Sequence, residues 1–267
     1  MKTRIPFVVL SLAALSLQTF AHEFWLEPEK FFLAVNEPTP VHLYVGDGLV
    51  KDREERPFNL DSVPRFDLIS LLSTSDLKAR TKEGSMPVHS FSSSTPGSHI
   101  LAMERQWSFI KLAAPEFEAY LREDGMDYII AERTRLKERA KEGREIYSRY
   151  LKSIIKVGES RDTLSLKPIG MSLEIVPLDD PYTLKKHGRI RFRVLFEGKP
   201  LRGRNVYADT RGRMTQKAVT TADGDVTFTI DRSGMWLIRI VNMRRCTADC
   251  SGADWESFWA ALTFGVR

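Results

Sequence analysis

Cysteine is scarce in this chain: 267 residues contain two, Cys246 and Cys250, four apart. In an oxidising compartment such a pair reads as a local disulfide, with a thiolate metal pair as the alternative. The short loop limits what that bond contributes through chain entropy. Long hydrophobic runs are missing beyond the N-terminus, so no segment is read as a membrane span and the exported chain is expected to be soluble. Neither sign of charge dominates. The formal net charge is +5, and Lys2 and Arg4 supply two of the positive charges from the extreme N-terminus. Nucleic acid is therefore not an expected partner. Catalytic signatures are also missing: no nucleophile elbow, no His-Glu-x-x-His pair and no phosphate-cradling glycine loop. The chain is read as a non-enzyme.

What is present begins at the N-terminus. Lys2 and Arg4 precede an apolar run, Ile5 to Leu15, too short to span a bilayer. Thr19 and Ala21 then make a small-x-small site before His22. Residues 1–21 are read as a signal peptide cut before His22, which places the mature protein in the periplasm. No cysteine stands at the cut, which argues against a lipid anchor.

From His22 to about Arg105 short apolar stretches alternate with turn residues. Val41, Leu43 and Val45 alternate with His42 and Tyr44, which places the two latter residues on one strand face. From Pro115 the texture changes. Phe117, Tyr120 and Leu121 recur at helical spacing, and Gly125 reads as a stop. A second helix is expected over Met126–Lys141 and a third over Glu142–Lys156, with Tyr147, Tyr150, Leu151 and Ile154 on one side. After Leu173–Ile175 the Asp179-Asp180-Pro181 stretch reads as a linker. Ile190, Phe192 and Val194, then Asp223-Gly224, then Trp236, Ile238 and Ile240 mark strands and a hairpin turn. The expected fold is mainly β with a helical insert, built as two immunoglobulin-like β-sandwich domains. An N-terminal domain would cover 22–178 with the insert at about 114–157, and a C-terminal immunoglobulin-like domain would cover 179–267.

Several stretches taken together resemble one family. They are His22-Glu23-Phe24-Trp25-Leu26, Tyr147-Ser148-Arg149-Tyr150-Leu151-Lys152, Leu173-Glu174-Ile175-Val176-Pro177, Gly198-Lys199-Pro200-Leu201, Thr221-Ala222-Asp223-Gly224 and Asp254-Trp255-Glu256-Ser257-Phe258-Trp259. The combination, spread over nearly the whole mature chain, resembles the DUF4198 group of exported bacterial proteins, often described as periplasmic components of nickel or cobalt uptake. The resemblance implies a transition-metal cargo and an inner-membrane metal transporter as partner. It also implies histidine where this chain has Asn242, so one ligand expected of relatives is missing here.

His22 is the first metal-ligand candidate, because a new N-terminal histidine offers an α-amino nitrogen and an imidazole to one ion. Nickel, cobalt or copper would suit that chelate. His42 is the candidate second ligand, ahead of His89 and His99 in more loop-like sequence. Phe24, Trp25, Phe31, Phe32, Trp236, Trp255 and Trp259 are read as core packing rather than as a binding surface. Arg133, Arg135, Lys137, Arg139, Lys141, Arg144 and Arg149, interleaved with glutamates, are read as a solvated helix face. Asp179, Asp180, Asp223 and Asp254 are read as turn residues, because their spacing fits no calcium loop. Two other readings compete with metal uptake: a metal-free adhesion or binding module, and a copper oxidase that would need a second histidine beside His22.

Overall fold

A computed structural model describes residues 22–49, 53–184, 188–247 and 249–267. The expected signal peptide and its cut after Ala21 lie outside the described residues. The N-terminal third carries β1 (Glu23–Pro28), β2 (Phe32–Leu33), β3 (Thr39–Gly46), β4 (Arg53–Glu55), β5 (Arg65–Ile69), β6 (Thr74–Asp76) and β7 (His89–Phe91). Next come β8 (Gly97–Leu112), the helices α1 (Ala114–Glu123) and α2 (Asp127–Arg135), β9 (Gly143–Val157) and β10 (Leu173–Pro177). The remainder is β11 (Gly188–Phe196), β12 (Lys199–Pro200), β13 (Asn205–Thr210), β14 (Gln216–Val219), β15 (Asp225–Ile230), β16 (Gly234–Arg245) and β17 (Trp255–Val266).

A nine-stranded sheet forms the middle layer, in the order β14-β13-β16-β17-β9-β8-β5-β6, with β2 added to β9. Its ladders are antiparallel except for β17 and β2, which run parallel to β9. A sheet of β10, β11, β12 and β15 covers one face. Phe192, Val194 and Phe228 there pack with Ile154, Ile238, Leu262 and Phe264 of the middle layer. The other face is shared by two elements. The sheet of β1, β3, β4 and β7 sets Trp25, Val41 and Leu43 against Leu151, Ile155, Leu237 and Ala261. The helices set Phe117, Tyr120, Leu121 and Ile129 against Val241, Met243, Trp255 and Trp259. Of the aromatic residues expected in the core, Trp25, Phe31, Trp236, Trp255 and Trp259 are buried, whereas Phe24 and Phe32 are half-buried.

The protein is thus mainly β, with sandwich packing on both sides of one sheet. The expected division at 178/179 falls between β10 and β11, which pair with each other. In addition, β17 pairs with β9 through nine residues, from Trp255↔Glu145 to Thr263↔Ser153. The two sandwiches therefore share the middle sheet, and among the described residues one core cluster holds side chains from both sides of that point. Among the described residues no helix is long and apolar enough to cross a membrane.

The helical insert needs correction. Pro115 and Gly125 bound the first helix as expected, and the second ends at Arg135. The third helix, expected over Glu142–Lys156, is instead the strand β9. Tyr150 and Ile154 face one sandwich, while Leu151 and Ile155 face the other. A strand buried on both faces carries apolar residues at adjacent positions, and at i, i+1 and i+4 this imitates a helical stripe.

Gly143 at the start of β9 lies under α1. A Cβ there would overlap the ring of Phe117, which is fully buried. Gly143→Ala is expected to destabilise the protein by about 1–3 kcal/mol through overpacking, read as a lower urea midpoint at unchanged slope. An unchanged midpoint would contradict the close packing of α1 on the sheet.

Candidate functional site

The β1–β3 ladder positions the N-terminal candidates. Glu23 pairs with Gly46 and Glu27 pairs with His42. His22 therefore stands beside the Gly46-Asp47-Gly48 turn, and its Nδ1 lies 2.6 Å from Asp47 Oδ1. Both side chains are about one-third exposed, at 34% and 38%. His42 is five residues from Asp47 along β3, roughly 17 Å at the rise of an extended strand. Its Nδ1 lies 2.7 Å from Glu55 Oε1 and its Nε2 3.2 Å from Glu29 Oε1, while the ring stacks on Tyr44. The structure does not bring His22 and His42 together.

His89 packs edge-on against Phe66, and His99 is buried with Nδ1 3.3 Å from Gly97 O. Burial lowers the pKa of both rings. Among the described residues no three His, Cys, Asp or Glu side chains converge as a ligand set. Asn242, where the resemblance implies histidine, accepts a hydrogen bond from Arg204 Nε at 2.9 Å.

Behind His22 the β1 backbone leads into a buried cluster of charge. Glu23 is buried and lies 3.4 Å from Arg239 Nη1; Arg239 Nε donates to Asp209 Oδ2 at 2.7 Å. Thr215 Oγ1 donates to the other oxygen of Asp209. Burial pushes the Glu23 carboxyl up to about 7, against the opposing pull of Arg239. Burial also raises Asp124, in the α1–α2 turn, well above the ordinary carboxylate range, and the Glu23 charge adds to this. Gly48 allows the β3–β4 turn to close over the cluster. Its φ is +70°, and a Cβ would stand 2.9 Å from Asp209 Oδ2.

Beside this cluster three strands present a row of side chains on the same face. Arg105 on β8 is the register partner of Arg149 on β9, and Arg149 is the partner of Trp259 on β17. Arg149 is 6% exposed. Its Nη2 donates to His22 O at 3.1 Å, and its guanidinium carbon lies 4.5 Å from the Phe24 ring centre and 4.6 Å from that of Tyr147. Arg105 lies 4.6 Å from the same Phe24 ring. Burial, then the neighbouring Arg149 charge, lowers Arg105 to about 10. Farther along β9, Glu145 Oε1 accepts from Tyr120 Oη and Ser257 Oγ, and Trp259 Nε1 donates to Ser257 Oγ. Burial pushes the Glu145 carboxyl up to about 7.

Sequence reasoning missed most of this cluster. It placed Arg149 on a solvated helix face, whereas the residue is buried on a strand. Arg133 lies on a helix, α2, as expected, but it is buried there, with Nη2 donating to Lys141 O at 2.6 Å. Arg135 and Arg139 are exposed and paired with Glu132 and Glu118, as the solvated-face reading expects. The available signal was charge at inward-facing strand positions, and it becomes readable only once β9 is known to be a strand. Cys246 and Cys250 form a disulfide. Asp180 accepts from Tyr182 N in a turn, Asp179 pairs with Arg191, and Asp254 with Arg144.

No curated protein matches the chain. Among solved structures it is similar to one titled "D0-D1 domain of Intimin", at 12% identity and a TM-score of 0.21, over 91% of this chain and 97% of that one. A likeness that low supports no argument about fold or function. A family model described as "Domain of unknown function (DUF4198)" matches residues 19–244, and the chain belongs to that family.

Proposed function

We propose that this is a non-catalytic, exported periplasmic protein that binds a transition-metal ion of the nickel or cobalt class through His22 and assists its uptake by an inner-membrane transporter. The observation that supports this reading is the 2.6 Å approach of His22 Nδ1 to Asp47 Oδ1 at the open end of the β1–β3 ladder. Cleavage before His22 would add a free amine on the same residue. Amine, imidazole and the Asp47 carboxylate would then form a mixed nitrogen–oxygen donor set suited to nickel, cobalt or copper. His42 has no part in this set, because the strand carries it to the other end of the ladder. Partial exposure of His22 and Asp47 suits a cargo ion that must be released.

The test uses protein that has been exported and shown by mass to begin at His22. Calorimetric titration with nickel, cobalt and copper salts is expected to give one bound ion. His22→Ala and Asp47→Ala should each weaken binding about tenfold or more. An extra N-terminal residue should have the same effect as His22→Ala. Correctly processed protein that binds none of the three metals would refute the reading.

A further inference from the structure

We propose that Arg105 and Arg149 form a binding site for a small oxyanion, a carboxylate or a phosphate, held on the middle sheet beside the Phe24 ring. The inference does not rest on metal binding at His22.

The two arginines are direct cross-strand partners in the β8–β9 ladder. Like charges in that relation repel, and natural sheets place opposite charges there. Both guanidiniums lie against the same Phe24 ring, at 4.6 and 4.5 Å from its centre. Neither has a carboxylate within ion-pair distance among the described residues, although most other arginines of the chain do. Glu23 and Glu145 are the acids whose charge is felt at Arg149. Glu23 is taken up by Arg239, and Glu145 by Tyr120 and Ser257.

Arg149 adds a second, independent observation. It is more than nine-tenths buried, and its Nε has no hydrogen-bond partner. A buried N–H without an acceptor marks an unfilled place in a structure. A water molecule would satisfy that N–H but would bring no charge to set against the two guanidiniums. The faces of Phe24, Tyr147 and Trp259 offset part of the cost, since ring quadrupoles attract cations. An anion between the two forks would neutralise the repulsion and fill the vacant donor together. Guanidinium forks match the planar spacing of carboxylate and phosphate oxygens.

The backbone beside the pair is irregular in a way that fits. The β8–β9 register shifts between Arg105 and Ser108, so the strand bulges immediately after Arg105. Bulges re-aim side chains and recur next to binding sites. Arg105 is partly exposed, which leaves one side of the pair open to an entering ion.

The purified protein is titrated calorimetrically with inorganic phosphate and, separately, with succinate, at ionic strength matched with sodium chloride. At least one anion is expected to bind at one per chain and to raise Tm. Phosphate binding alone would identify an inorganic oxyanion site; succinate binding alone would identify a carboxylate site. Arg105→Gln, at a partly exposed position, is expected to keep the unliganded Tm while weakening binding about tenfold or more. Arg149→Lys keeps a charge but loses the fork, and should also weaken binding. Failure of both anions to bind, or affinity unchanged in Arg105→Gln, would overturn the proposal.

Discussion

Lys152→Met is expected to cost about 3–5 kcal/mol of stability, because it breaks a fully buried ion pair and leaves one charge behind. Lys152 Nζ donates to Glu174 Oε1 at 2.8 Å, and both side chains are 2% exposed. The pair joins the middle sheet to β10 inside a sandwich core otherwise made of Ile154, Ile175, Phe192 and Leu262. Glu174 has further duties: its oxygens accept from the backbone amides of Ile169, Gly170 and Met171. Those amides keep part of the carboxylate's charge solvated when Lys152 is removed. Glu174→Leu removes their acceptor as well and strands the ammonium, which burial already pushes down from its ordinary pKa. It should therefore cost more than Lys152→Met, by about 1–3 kcal/mol for the orphaned amides. The double variant removes both charges and should cost less than the two single changes added together. Urea denaturation of the three variants at one pH reads all of this. A loss below about 1 kcal/mol in Lys152→Met would mean that the amides alone satisfy Glu174.

The ion pair also marks where the sequence stops being legible. Alternation was readable wherever a strand has one covered and one partly open face. Val41, Leu43 and Val45 are buried and His42 and Tyr44 half-buried, as the pattern implies. The Asp223-Gly224 turn and the strand after it follow from the same reasoning. In β9 the rule fails, because layers on both sides bury every position from Ser148 to Val157 and remove the polar face that defines the period. Lys152, Arg149 and Glu145 then look like the charges of a solvated helix, when each is a buried group with its own chemistry. His22 was legible as a candidate because its chemistry depends on its own residue. Asp47 was not, since the turn that brings it to His22 is set by pairing between β1 and β3. The parallel pairing of β9 with β17 was hidden for the same reason: it joins segments far apart in the chain, from Trp255↔Glu145 to Thr263↔Ser153.

Stability is expected to fall as pH rises from about 5 to 8, and Glu145→Gln should remove much of that fall. Burial raises the Glu145 carboxyl to about 7 in the folded protein, against an ordinary value of 4.5. Between those two values the folded chain holds a proton that the unfolded chain has released. The linkage therefore has a negative slope: the contribution is fully present below the unfolded value and is lost as pH rises through about 7. A shift of this size corresponds to roughly 3 kcal/mol at about 1.4 kcal/mol per pKa unit. Glutamine at this position keeps an acceptor for Tyr120 and Ser257, so the variant should remain folded. Glu23 carries a raised value of the same size and contributes a parallel slope. His89 and His99 oppose both, because burial lowers their pKa values and their contribution is lost as pH falls. The comparison that isolates Glu145 is therefore the difference between the two proteins' urea midpoints at each pH. That difference should shift in favour of Glu145→Gln as pH rises through 7. Parallel curves from pH 5 to 8 would mean that Glu145 ionises as it does in the unfolded chain, which its unpartnered and buried Oε2 argues against.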